Sequence, residues 1–400
     1  MQSQQLNILR NFKSLNIAAG CDPAIVELCL AYMRYCFSYG YNIDFNHIYP
    51  PLQEMFADPQ ISAEQITYLN QLITQAERFR QLDEIPLNCI HLHLWYCYNL
   101  LRNGCIVLFS PSDLAEHLGI SLQVLYFFAS DKGIYIDFEV PKRDGKSTRH
   151  ISAPILPLRQ IQRWLLDNIL SMVPLSNHAT AYIQGKSIFD NASSHIQANV
   201  VINIDLKDFF PSITFQRVIG LYLNLGYIYP VATLLAQLSC HNNQIPQGAP
   251  TSPAISNILC RRLDNRLSKL GEKLAFRYTR YADDITFSGN RFVNSFMDSV
   301  KRIIADEGFE INERKTRITY SGKAQKVTGL VVNEKVNIPR DYYRRLRAVI
   351  HNCQQLGVES QTDQEVSVFK AKMYGHAHYI HSINPEKGRY LLEQLDKIEW

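Results

Sequence analysis

The sequence has no C-x-x-C pair among its nine cysteines, which stand at positions 21, 29, 36, 89, 97, 105, 240, 260 and 353. That excludes a zinc knuckle, and an odd set of scattered thiols is the pattern of a reduced, intracellular chain rather than of a disulfide scaffold. A long apolar run is also missing. The richest stretch, Ile85 to Phe109, is interrupted by His91, His93, Asn99, Arg102 and Asn103, so it reads as a buried helix and not as a membrane span. No charged and then apolar leader follows Met1, and the expected location is cytoplasmic, away from membranes. Internal repeats and low-complexity linkers are absent too. Net charge is small, +4 from 41 basic and 37 acidic side chains in 400 residues. With 46% apolar and 20% charged residues, disorder, collagen and coiled coil are excluded, and the length accommodates two or three substructures.

The near balance of charge hides unlike parts. Residues 1–110 hold six basic and nine acidic side chains, whereas residues 111–400 hold 35 and 28. Within the second part, 313–347 carries ten basic and three acidic residues, enough to account for its whole positive excess. A local basic surface of this kind points to a polyanion, and Tyr320, Tyr342 and Tyr343 add flat faces for stacking; the plainer alternative is a solvated helix face.

Periodicity makes residues 1–88 helical, broken at Pro50-Pro51, with no chemistry evident in them. A helix starts at Pro111 with Ser110 or Ser112 as cap and Gly119 as stop. Strands 135–140 and 149–154 flank a turn at 142–146, and a helix follows from Pro157 to about Met172. Residues 200–206 form an apolar strand ending in Asp205, and strands 276–281 and 285–287 are joined through Ala282-Asp283-Asp284. Helix from Phe292 to Ile304, strand-like Phe309–Asn312 and strand Val327–Val332 come next. The last part is helical, with Leu346, Ile350, Cys353 and Leu356 on one face.

Asp205 at a strand end and Asp283-Asp284 at a hairpin tip are the carboxylates that two-metal phosphoryl transfer requires, provided the strand and hairpin are neighbours in one sheet. Such hard oxygen donors suit two Mg²⁺ ions, or Mn²⁺, rather than zinc. Between them lies Ile245-Pro246-Gln247-Gly248-Ala249-Pro250-Thr251-Ser252-Pro253. Three prolines stiffen this loop, and its glycine lets a flat ligand approach the main chain.

In this order the segments resemble reverse transcriptases. Asp205-Leu206-Lys207-Asp208-Phe209-Phe210 is similar to motif A, Pro246-Gln247-Gly248 through Ser252-Pro253 to motif B, Tyr281-Ala282-Asp283-Asp284 to motif C, and Asn312 with Lys315-Thr316 to motif D. Asn191-Ala192-Ser193-Ser194-His195 and Val327-Thr328-Gly329 look like the NAxxH and VTG signatures of bacterial retron enzymes. Taken alone, His195 reads as a hydrogen-bonded structural histidine. The resemblance implies an α+β right-hand polymerase: fingers, a palm of antiparallel sheet plus helices, and a helical thumb, preceded by an α-helical N-terminal extension. The implied boundaries are 1–88 for the extension, 89–199 for fingers and the start of the palm, 200–320 for the palm with an interleaved fingers segment, and 321–400 for the region after motif D and the RNA-binding thumb.

The same resemblance implies residue roles. Asp205 and Asp283 hold both ions, Asp284 completes the cluster and the Leu206 carbonyl is a further ligand. Phe210 excludes a ribose 2′-hydroxyl, although Phe209 is an equally good aromatic. Gln247 lies against the incoming dNTP, and Lys142 and Arg149 clamp its triphosphate. Lys315 is the acid for the pyrophosphate, with Arg314 and Arg317 close by in sequence. Arg340, Arg344, Arg345 and Arg347 bind RNA. Tyr374, His376, His378 and His381 read as helix surface. The implied activity is copying a cognate noncoding RNA into DNA from a guanosine 2′-hydroxyl, giving a branched RNA–DNA product, with an effector protein in phage defence. About 70 residues follow the VTG element and show no ribonuclease H carboxylates, so a host ribonuclease H is expected to remove the RNA. Rival readings are another defence-associated or group II-like reverse transcriptase, and an idle RNA-binding scaffold.

Overall fold

The computed structural model describes residues 96, 99–130, 133–141, 148–291 and 294–400. The expected helices of residues 1–88, and Lys142 with its turn, lie outside the described residues. In chain order the named elements are α1 (Pro111–Leu118), α2 (Leu122–Ala129), β1 (Tyr135–Pro141), β2 (Thr148–Pro154), α3 (Leu156–Asn168) and α4 (Ile188–Ser193). β3 (Val200–Asp205), α5 (Phe215–Asn224), α6 (Tyr229–Ser239), α7 (Ser252–Leu259), α8 (Arg261–Lys273), β4 (Arg277–Tyr281) and β5 (Asp284–Gly289) follow. The chain ends with α9 (Asn294–Asp306), β6 (Arg317–Tyr320), β7 (Lys326–Val327), β8 (Leu330–Val331), α10 (Arg340–Leu356), α11 (Val366–Ile383) and α12 (Pro385–Leu395). Two compact units result, one from the described residues up to Pro174 with Ile213–Ile258, the other from Leu175–Ser212 with Leu259–Trp400.

In the first unit, α1 starts at Ser110, whose hydroxyl accepts the Asp113 amide, and stops at Gly119 in the left-handed region at φ 66°. The expected helix up to Phe109 is shorter than its apolar pattern suggests. Leu108 and Phe109 are buried, but helix ends at Arg102 because Gly104 turns at φ 69° and the Cys105 amide closes back onto the Leu100 carbonyl. β1 and β2 pair antiparallel from Tyr135 opposite Pro154 to Pro141 opposite Thr148. The Pro246–Pro253 loop is stitched to this hairpin, since the Ser152 amide donates to the Gln247 carbonyl over 2.9 Å. Gly248 is required there: its φ is +135°, and a Cβ would stand 2.8 Å from the Ser152 carbonyl oxygen. α5 and α6 pack together behind it, with the buried Tyr222 hydroxyl 3.1 Å from Ser239 Oγ.

The second unit is built on a four-stranded antiparallel sheet in the order β4-β5-β3-β6. β3 is central, and its apolar run Val200-Val201-Ile202 is fully buried, as a strand covered on both faces requires. Phe276, Phe287 and Phe296 interlock beside it, the first and last rings stacked 4.4 Å apart. The strand-like segment Phe309–Asn312 forms only one bridge, Ile311 opposite Leu206. Val327–Val332 is not one strand either. Thr328 at φ 45° and Gly329 at φ 84° make a two-residue turn between β7 and β8, the mirror-image geometry whose twist suits a hairpin.

C-terminal helices α10, α11 and α12 share an apolar core of Leu346, Ile350, Cys353, Phe369, Met373, Ala377, Ile380, Leu391 and Leu395. Leu356 departs from the expected face and is 69% exposed, because α10 ends there and Gly357 turns the chain at φ 84°. α11 and α12 meet at Gly388, where a Cβ would lie 2.2 Å from the His381 Cα. Among the described residues no helix is long and apolar enough to cross a membrane.

Candidate active site

The sheet of the second unit brings the expected carboxylates to one end. β3 and β5 run in a register that sets Asp205 opposite Asp284, and the tight β4–β5 hairpin sets Tyr281 opposite Asp284, leaving Ala282-Asp283 as its tip. Ala282 holds φ 57°, unusual for a residue with a Cβ. The Leu206 amide donates to the Asp283 carbonyl over 3.0 Å and ties the strand end to the hairpin tip. On the other side, the Lys207 amide reaches the Glu310 carbonyl and the Asn312 amide the Asp205 carbonyl, both over 2.8 Å. That stitching places Lys315, whose Nζ donates to Asp205 Oδ2 over 2.9 Å.

Electrostatics follow from this crowding. Enclosure of its carboxyl, then repulsion by Asp283 and Asp205, pushes Asp284 up to about 7, with Lys315 pulling the other way. The residue as a whole is exposed even though its carboxyl is enclosed, so the shift is no store of stability. For Lys315, burial disfavours the ammonium, but the Asp205 hydrogen bond and the charges of Asp205, Asp283 and Asp284 outweigh it and raise its pKa. Among the described residues no three His, Cys, Asp or Glu side chains are already gathered as an ion cage. The donor set nevertheless fits a hard divalent cation. Its members are carboxylates at adjoining sheet positions whose mutual repulsion is answered here by the Lys315 ammonium, the charge that a divalent ion would supply in larger measure.

The two aromatics of motif A separate in the structure. Phe209 is 4% exposed and stacks on Phe309 at 5.7 Å, whereas Phe210 is half-buried with its ring 6.4 Å from that of Tyr182. Gln247 belongs to the first unit, half-buried, its carbonyl held by β2. Arg149 is exposed on β2 opposite Val140. Its expected companion Lys142 lies outside the described residues.

Arg340, Arg344, Arg345 and Arg347 are all exposed on α10. Arg344 and Arg347 line a cavity of about 330 Å³ with His351, Gln354 and Tyr390, and the Arg347 guanidinium lies over the rings of Tyr343 and Tyr390 at 5.9 and 5.5 Å. Arg345 is not among the cavity residues, and its Nε donates to the Asp341 carbonyl. His376 accepts or donates at the Tyr342 hydroxyl over 2.8 Å, Tyr374 donates to Asp396, and His381 Nδ1 lies 3.2 Å from the Pro385 carbonyl, so these three side chains are engaged within the helical region.

The NAxxH and VTG segments meet. α4 packs against β4, β7 and β8, Ala192 is buried with Val327 and Leu330, and the Thr328 hydroxyl donates to the Ile188 carbonyl over 3.3 Å, while Gly329 completes the turn. Asn191 Oδ1 accepts from the Thr180 hydroxyl over 2.9 Å. His195 is fully buried between Ser288 Oγ and Thr279 Oγ1, 2.7 Å from each ring nitrogen. Burial, reinforced by the charge of Arg277, lowers its pKa to about 3. Sequence reasoning missed Thr180, Thr279, Ser288, Asp264 and Arg280. For the last two a signal existed, a charged residue within a half-apolar strand and an acid on the apolar side of a helix, but nothing local linked them.

Residues 140–363 match the family model described as Reverse transcriptase (RNA-dependent DNA polymerase). The Retron Mx162 reverse transcriptase of Myxococcus xanthus is 38% identical over 338 residues, covering 74% of this chain and 68% of that one. The Retron Mx65 reverse transcriptase of the same organism is 37% identical over 319 residues, 73% of this chain and 72% of the relative. The Retron Ec86 reverse transcriptase of Escherichia coli is 35% identical over 305 residues, 75% and 92%. On this likeness, and with its motif segments standing in the order that such enzymes show, the chain belongs to the bacterial retron reverse transcriptases, RNA-directed DNA polymerases.

Proposed function

We propose that this enzyme copies part of a cognate noncoding RNA into single-stranded DNA, primed from a guanosine 2′-hydroxyl, and so makes a branched RNA–DNA molecule. The observation that carries the catalytic part is the register of Asp205 opposite Asp284, with Asp283 at the adjoining hairpin tip and Lys315 on Asp205. Asp205, Asp283 and Asp284, with the Leu206 carbonyl, would hold two Mg²⁺ ions, or Mn²⁺. Such ions supply Lewis-acid activation of the primer hydroxyl and neutralise charge on the pyrophosphate.

In this reading the primer oxygen bonds to the α-phosphorus of a dNTP, the bond to pyrophosphate breaks, and the hydroxyl proton passes to solvent. Lys315 then gives its Nζ proton to the pyrophosphate, a role supported by its place beside the carboxylates, with Nζ on Asp205. Phe210 excludes the 2′-hydroxyl of ribonucleotides, Gln247 lies along the incoming nucleotide, and Lys142 and Arg149 hold its phosphates. Arg340, Arg344, Arg345 and Arg347 contact RNA phosphates from α10, which is the thumb in this scheme.

A host ribonuclease H removes copied RNA, and an effector protein, docking on the N-terminal extension, makes the product part of antiphage defence. Sequencing the nucleic acid that copurifies with the full chain is the test. A covalent 2′–5′ RNA–DNA junction supports the reading, and unbranched DNA from an ordinary primer overturns it.

A further inference from the structure

Arg280 and Asp264 form an ion pair that no solvent reaches, both fully buried within the second unit. The pair is bidentate, Nε to Oδ1 and Nη2 to Oδ2, each over 2.8 Å, and the Tyr278 hydroxyl adds a third donor to Asp264 Oδ1 over 2.7 Å. Stability does not explain such a pair, because desolvating two charges offsets most of their attraction and an apolar pair of similar volume often serves as well or better. What an apolar pair lacks is a donor. The remaining arm of the guanidinium, Nη1, donates over 3.1 Å to the carbonyl of Ala282.

That carbonyl belongs to the residue in the left-handed conformation at the tip of the β4–β5 hairpin, a backbone state that persists only where the surroundings over-determine it. The next carbonyl, of Asp283, is held by the Leu206 amide. Arg280 is itself fixed, its amide donating to His178 and its carbonyl accepting the Thr180 amide, each over 2.9 Å. The Thr180 hydroxyl lies within reach of both that carbonyl and Asn191 Oδ1.

We propose that Arg280, anchored on Asp264, is a positioning residue: by gripping the Ala282 carbonyl it holds the hairpin tip in the one conformation that aims Asp283 at the catalytic centre. It touches neither substrate nor metal. The proposal rests on the reading of Asp283 as a catalytic ligand.

The test uses the full chain carrying Asp264→Leu with Arg280→Met, which replaces the pair by apolar side chains. Expected are a melting temperature close to that of the parent, unchanged binding of a primed RNA template, and a kcat for dNTP addition lowered about tenfold to a hundredfold with little change in KM. Mn²⁺ binding without nucleotide, followed by loss of the free-ion EPR signal, weakens in parallel. A folded double variant with parental kcat and parental Mn²⁺ binding overturns the proposal. If that variant does not fold, Arg280→Lys decides by the same readouts, since it keeps the charge opposite Asp264 but has no arm for the Ala282 carbonyl. Asp283→Asn is run alongside. Should it leave extension intact, the reading of Asp283 has failed; should it be inactive while the apolar pair is not, the positioning role alone has failed.

Discussion

His195 Nε2 lies 2.7 Å from Thr279 Oγ1 on β4, while its other ring nitrogen lies 2.7 Å from Ser288 Oγ on β5. One neutral imidazole thus spans the two strands that carry Tyr281 and Asp284 to the hairpin tip, donating to one hydroxyl and accepting from the other.

A pH dependence of stability follows. The folded pKa of about 3 is below the ordinary histidine value of 6.5 that an unfolded chain shows, so the unfolded chain binds the extra proton between these values. Stability from this residue is therefore intact above about 6.5 and declines as pH falls toward 3, by about 1.4 kcal/mol per pH unit. Urea unfolding at pH 7.5, 6, 5 and 4 should show a small loss over the first interval and a loss that approaches that slope below pH 6. His195→Asn should flatten it while lowering stability at pH 7.5 by about 2 kcal/mol, because two buried hydroxyls are left without well-placed partners.

Asp283→Asn should reduce primer extension by about a thousandfold or more, with template binding preserved. Single-turnover extension of a primed RNA by the variant is the measurement, and wild-type rates would remove Asp283 from the chemistry.

The adjacent phenylalanines should behave differently. Phe210→Ala should raise ribonucleotide incorporation with a small change in melting temperature, since its ring is half-buried. Phe209→Ala empties a packed site and should cost about 3–5 kcal/mol of stability. Parallel dNTP/rNTP competition and thermal melts of both variants check this, and an unaltered discrimination in Phe210→Ala would defeat the gate.

Arg344→Ala with Arg347→Ala removes both guanidiniums from the α10–α12 cavity, and Arg345→Ala removes one outside it. If the cavity side meets RNA, the double variant should lower the slope of log K against log salt by about 2, roughly one for each phosphate that is no longer neutralised. Filter binding across a salt series measures it; a parental slope would mean that these arginines face solvent.

Gly388→Ala should lower the melting temperature clearly, because the added methyl meets the His381 backbone and α11 and α12 must separate. A differential scanning trace matching the parent would show that the helices yield freely at that crossing.

Motif order, the three aspartates, the hairpin at Ala282-Asp283 and the Gly119 stop were legible in the linear chain, because each depends on residues a few positions apart: strand alternation, turn chemistry, capping. Membership of the retron enzymes was legible for the same reason, as NAxxH and VTG are short strings. Their use was not. His195 finds partners 84 and 93 positions away, and Arg280 finds Asp264 across a helix-to-strand reversal. Which of two identical phenylalanines enters the core depended on Phe309 arriving from a separate segment. Local sequence specifies backbone propensity and the presence of chemical groups; the partner of a buried charge or ring is chosen by packing, which brings together residues remote in the chain and penalises any polar group left without one.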